Sequence, residues 1–124
     1  RVIEQCLEQE RASRGKRRME ADTARRLEHL TQREREVLDL FVEHAPQYLD
    51  DLRNAAAQKQ WHAAAHTLKG SARGIGAWRV ARVAENAERI ELAGNEDRRN
   101  FAIDSAEEAL DEAIGFIRVV IRTF

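Results

Sequence analysis

The sequence is short of everything that builds loops, cross-links and sheets. It holds one proline, one cysteine and six glycines in 124 residues, and its aromatics stop at two Trp, one Tyr and four Phe. So few turn formers exclude a sandwich or barrel, whose many short strands need frequent Gly, Pro and Asn. Cys6 alone excludes an internal disulfide. With nothing resembling a signal peptide, this points to the cytoplasm. No apolar run approaches the roughly 20 residues that span a bilayer, so no membrane association is expected. The formal net charge of −1 supplies no global field towards nucleic acid or membrane. The length allows one domain with an extension.

What is present is helix-forming sequence: 43% hydrophobic and 35% charged residues. Residues 1–34 carry only short apolar patches around Leu7, Leu27 and Leu30, separated by Arg11, Arg14, Lys16, Arg17 and Arg18. Such a polar helix cannot bury a face by itself. It reads as a helical extension or linker that could support a homodimer through those leucines. Thr31 followed by Glu34 forms a capping box that opens a new helix. A three–four apolar stripe then runs from Val37 to Ala56, and Pro46 is expected to bend this helix without ending it. After the short link "AQKQ", a second stripe predicts a helix from Trp61 to about Ala72 or Arg73, broken by "GIGA". A third predicts one from Ala77 to Ala93, stopped by Gly94. Asn95 is a suitable N-cap for the last helix. The reading is all-α: an antiparallel four-helix bundle over residues 35–124 with an N-terminal helical extension over 1–34. Trp61 and Trp78 are expected to seal its ends, and His29 and His44 to lie on its surface.

Chemistry concentrates in "HAAAHTLKGSARG", residues 62–74. Helical spacing puts Ala64, Ala65, Leu68, Ala72 and Ile75 on one side, and His62, His66, Lys69, Gly70 and Arg73 on the other. Small inward alanines let the helix sit close to its neighbours, leaving a wet, basic face centred on His66. An exposed imidazole titrates near pH 6.5, so at neutral pH it is mostly the free base and a competent nucleophile. Lys69 can hold a phosphoryl oxygen, and Ser71 can donate a hydrogen bond nearby. Glycine in a helix interior costs about 1 kcal/mol relative to alanine. Gly70 is reasonable there if something large must approach His66. The set suits reversible covalent capture of a phosphoryl group beside a stabilising cation. His62 shares the face of His66 at a metal-compatible spacing. No third ligand is evident nearby, so it reads as a bystander or a hydrogen-bonding neighbour, and no metal is expected.

The stretch "AHTLKGSARGIGA" resembles the signature of histidine-containing phosphotransfer domains, H-x-L-K-G-[SA], and "FVEHAPQYLDDLRNAAAQKQW" is similar to the helix preceding it. The resemblance implies that His66 is the phosphoacceptor, Lys69 the phosphate-stabilising cation and Gly70 the clearance for docking, with Ser71 at the small-residue position. It implies a relay with response-regulator receiver domains, fed in some systems by a hybrid histidine kinase. The Mg²⁺ belongs to the receiver, so this chain needs no cofactor. An apolar docking patch is expected around His66, with His62 and Arg73 on its polar rim. Gln60 departs from the aspartate often found before this helix, which weakens a cap. No glycine-rich nucleotide loop is present, so no kinase activity is expected.

Two other readings compete. "LEHLTQREREVLDL" is similar to the first helix of LuxR-type helix-turn-helix domains, which would make the chain a fragment of a DNA-binding response regulator. No recognition helix follows to enter the major groove, so nucleic-acid binding is not expected. The other reading is a structural bundle without phosphotransfer.

Overall fold

The computed structural model describes residues 30–123. The first 29 residues, and with them Leu7, Leu27, His29 and most of the expected extension, lie outside the described residues, whereas Leu30 packs against the bundle core and residues 32–34 open its first helix. Four helices follow one another: α1 (Gln32–Asn54), α2 (Gln58–Ile75), α3 (Trp78–Glu88) and α4 (Glu96–Thr123). No strand occurs among the described residues.

The capping box forms as expected. Glu34 N–H donates to Thr31 Oγ1, and Thr31 N–H donates to Glu34 Oε1, both at 3.1 Å. These bonds satisfy two of the donors a helix start leaves orphaned. α1 then runs unbroken through Pro46 to Asn54. From Gln32 onward, the segment resembling the start of a helix-turn-helix is therefore the beginning of a bundle helix.

α2 starts three residues earlier than its apolar stripe suggests, because Gln60 caps it from inside. The Oε1 of this third helical residue accepts from Ala56 N–H at 2.9 Å and Ala57 N–H at 3.1 Å. At the other end Gly76 adopts a left-handed φ of 78°. Ala77 N–H reaches Ala72 O at 2.9 Å and Gly76 N–H reaches Arg73 O at 3.2 Å, the two bonds of a Schellman stop. α2 therefore keeps the helical turn that the "GIGA" breaker was expected to remove. α3 instead ends early, at Glu88 rather than Ala93. There Gln58 clamps the departing chain, donating to Ile90 O at 2.9 Å and accepting from Leu92 N–H at 2.7 Å.

Neighbouring pairs α1/α2, α2/α3, α3/α4 and α1/α4 pack and close the bundle. Arg99 near the start of α4 donates to the carbonyl of Arg53 at 2.9 Å, so the end of α1 meets the start of α4 and the two run antiparallel. Its guanidinium also lies 5.7 Å from the centre of the Trp61 ring. Leu52, Trp61, Leu68, Val80, Leu110 and Ile117 are its largest fully buried side chains. Trp61 is thus a core residue: its indole N–H donates to Ala87 O at 2.7 Å. Trp78 is half-buried, with its indole nitrogen buried and lacking a hydrogen-bond partner. No described helix is long and apolar enough to cross a membrane.

Leu110 is fully enclosed midway along α4. Replacing it with alanine should lower unfolding free energy by about 2–5 kcal/mol, read as a shifted urea midpoint with unchanged slope.

Candidate functional site

The inward face of α2 is nearly as expected: Ala65, Leu68, Ala72 and Ile75 are buried and Ala64 half-buried. This orientation sends His66 outward, with 65% of its side chain exposed. Lys69, one turn on, lies lower, with 15% of its side chain exposed. α3 packs antiparallel to α2, and the Trp61–Ala87 bond ties its last turn to the start of α2. Glu88, the next residue, is thereby held over the histidine face.

Its carboxylate is the hub of the site. Oε1 lies 2.9 Å from His66 Nδ1 and 3.3 Å from His62 Nε2, while Oε2 accepts from Lys69 Nζ at 2.6 Å. The hydrogen bond from Lys69, then that from His66, hold the Glu88 carboxyl at about 2, against an ordinary 4.5. Near neutral pH this group is therefore ionised and can only accept hydrogen bonds. The proton between it and His66 consequently belongs to the imidazole: Nδ1 carries the hydrogen, and Nε2 of the neutral ring carries the free lone pair. An oriented ring with its outer nitrogen unprotonated and open to solvent is a nucleophile poised for attack.

Glu88 was not among the residues singled out from sequence. It directly follows Ala87, at the edge of α3's apolar stripe, and nothing local marks it; only the α2/α3 packing brings it to His66. It also corrects the expectation of a basic face, since the carboxylate neutralises Lys69. The two imidazoles are stacked, with ring centres 6.2 Å apart and planes 12° apart. His62 thus faces the same carboxylate oxygen as His66, and among the described residues no group of three ligating side chains is arranged to hold a metal.

The remaining motif residues separate. The Ser71 hydroxyl accepts a hydrogen bond from Tyr48 OH at 3.1 Å across the α1/α2 contact. Gly70 is exposed, and a Cβ there would meet nothing within 4 Å. Its lack of a side chain therefore serves no contact within the fold. Arg73 pairs with Glu85 at 3.8 Å. The expected apolar docking patch is not built from large side chains. The exposed large hydrophobics, Val37, Leu40, Phe101 and Val119, all lie on α1 and α4. Beside His66, α2 instead exposes Ala63, Thr67, Gly70 and Gly74. His44 is exposed on α1, as expected.

The described residues form a helical bundle that presents a solvent-exposed histidine held by a carboxylate. The family model for the Hpt domain matches residues 36–116. The chain belongs to this family, whose members act as histidine phosphotransfer modules in phosphorelays, working with receiver domains and histidine kinases. These domains are generally not kinases themselves. No curated protein matches the chain, and no solved structure does.

Because folding lowers the pKa of Glu88, its contribution to stability is complete above about 4.5 and is lost as pH falls towards about 2. Thermal melts of wild type and Glu88→Ala should therefore differ most above about pH 4.5 and converge towards pH 2. At neutral pH, long-range ¹H–¹⁵N spectra should show His66 with hydrogen on Nδ1 in wild type and a mixture of tautomers in the variant.

Proposed function

We propose that His66 is the phosphoacceptor of a relay between response-regulator receiver domains. In the forward step, the Nε2 lone pair attacks the phosphorus of a receiver's aspartyl phosphate. The P–N bond forms, the acyl P–O bond breaks, and the receiver keeps the carboxylate. The reverse step passes the phosphoryl group to another receiver. The observation that carries this reading is the 2.9 Å contact between His66 Nδ1 and the ionised Glu88, on a ring otherwise open to solvent.

Glu88 acts through His66 and is a positioning residue. It keeps Nδ1 protonated, so nucleophilicity stays on the outward nitrogen. It also supports the positive charge that develops on the ring when the P–N bond forms. Lys69 supplies the cation for the phosphoryl oxygens and is already held beside the ring through the same carboxylate. Gly70 leaves the approach open, while His62 and Arg73 border it. Receiver domains supply the Mg²⁺, and a hybrid histidine kinase is a further candidate donor. We place the reaction in the cytoplasm. The α2 surface of small residues suits a partner whose own side chains fill the contact.

Incubation with a phosphorylated receiver should label the wild-type protein with acid-labile phosphate, and His66→Gln should take up none while melting normally. Lys69→Ala should slow transfer by about tenfold or more. A wild-type protein that stays unlabelled by every receiver of its source organism would exclude the relay. Gly70 separates folding from docking. Gly70→Ala should stabilise the bundle by about 0.5–1 kcal/mol, whereas Gly70→Arg should keep the fold and lose most transfer. Full transfer by the arginine variant would remove Gly70 from the docking surface.

A further inference from the structure

His62 stands beside the reaction without a part in it, yet its position is not that of a bystander. Its Nε2 points at the carboxylate oxygen that holds His66 Nδ1, at 3.3 Å against 2.9 Å, and its ring stacks on that of His66. Its side chain is 57% exposed, so protons reach it from solvent. Ionised Glu88 only accepts, so a neutral His62 ring facing it is favoured with its hydrogen on Nε2 and a lone pair on Nδ1 that can take a proton.

Charge counting shows what that second proton would do. With both imidazoles neutral, Glu88 and Lys69 cancel and the cluster carries no net charge. Transfer of PO3− to Nε2 leaves Nδ1 protonated, so His66 becomes a cationic ring bearing a phosphoryl group of up to about −2, a net change of about −1 at neutral pH. Lys69 is already committed to Glu88 at 2.6 Å and must be shared between carboxylate and phosphoryl group. Among the described residues, the other imidazole facing Glu88 is His62, and a neutral imidazole gains a positive charge by taking up a proton.

We propose that His62 takes up a proton from solvent as His66 receives the phosphoryl group, and so couples the relay equilibrium to pH. This rests on the reading of His66 as phosphoacceptor. The covalent step is unchanged: the P–N bond forms as the acyl P–O bond breaks, and the proton enters separately at His62 Nδ1. Protonated His62 then compensates part of the new negative charge and supports Glu88 while Lys69 is shared between the carboxylate and the phosphoryl oxygens. Between a unit charge and a net single negative charge about 6 Å apart in a water-like dielectric, the attraction corresponds to about a threefold change in proton affinity.

The charged surroundings of His62 leave this role to it. On its own helix it lies near Lys59 and His66, and from α3 it faces Glu88. Glu85, one turn back on α3, is engaged with Arg73 at 3.8 Å and Arg89 at 3.4 Å. On α1, packed against the other side of α2, Asp51 accepts from Gln47 at 2.7 Å and Arg53 pairs with Glu107 of α4 at 2.7 Å. Arg79, on α3, is occupied by Glu108 and Glu112 of α4.

The test compares wild type with His62→Gln, each equilibrated with one phosphorylated receiver at pH 6 and pH 8. The readout is the ratio of phosphohistidine to aspartyl phosphate. Dividing the wild-type ratio by that of the variant cancels the titration of the receiver and of His66. The quotient should rise between pH 8 and pH 6, approaching about threefold. In parallel, ¹⁵N spectra at pH 7 should show the His62 ring moving towards the cationic pattern when His66 is phosphorylated with phosphoramidate. Parallel pH profiles, or His62 nitrogens unmoved by phosphorylation, would overturn the coupling and leave the relay standing. Failure of both proteins to take up phosphate would overturn the relay and the coupling with it.

Discussion

A single carboxylate organises the reactive face of this bundle. Glu88 faces three nitrogen groups, of which Lys69 makes the shortest contact and lies as deep as the carboxylate itself, at 15% and 12% side-chain exposure. Ionised carboxylates are rarely sheltered to that degree without partners, because losing water penalises the charge. Here Lys69 and the two imidazoles replace that water. The consequence runs outward: an ionised Glu88 can only accept, so it dictates which nitrogen of His66 is protonated. The chemistry of an exposed ring is thus set by a half-buried group on another helix.

That arrangement depends on where α3 stops. Had the helix run on to Ala93, as its apolar stripe suggests, the chain after Glu88 would keep climbing past α2. Gln58 prevents this by hydrogen-bonding both Ile90 and Leu92, and the Trp61 indole fixes the carbonyl just before Glu88. Both residues belong to the first turn and a half of α2. The start of the histidine helix therefore anchors the end of the helix that brings its orienting carboxylate. Gln60, in the same turn, supplies the cap that an aspartate was expected to provide, so the start of α2 is held from within.

How much could be read in the sequence follows from the range of each interaction. The Thr31–Glu34 capping box, the inward alanines of α2 and the His66–Lys69 spacing are local and periodic, and the structure contains them nearly as read. The end of α3 and the role of Gln58 escaped because their partners lie 32 and 34 residues away. Glu88 escaped for the same reason, since 22 residues separate it from His66. In a string of 22 acidic residues, nothing but packing singles it out. The docking patch was misjudged differently. Large apolar residues were expected around the nucleophile, but α2 exposes small ones there, and its large ones are used in the core.

The small residues also explain why Lys69 can be tied to Glu88 and still serve a phosphoryl group in the proposed relay. An ammonium has three donors and no acceptor, so one carboxylate oxygen does not exhaust it. With Gly70 next to it and no side chain to fill the gap, the phosphoryl oxygens can approach from the solvent side while the Glu88 contact persists on the other. In the proposed relay the open space at Gly70, where a Cβ would meet nothing within 4 Å, leaves that approach clear and the cation shared. A shared cation suits a reversible relay better than a dedicated one: it stabilises the phosphoryl group in transit without binding it so tightly that the next receiver cannot take it away.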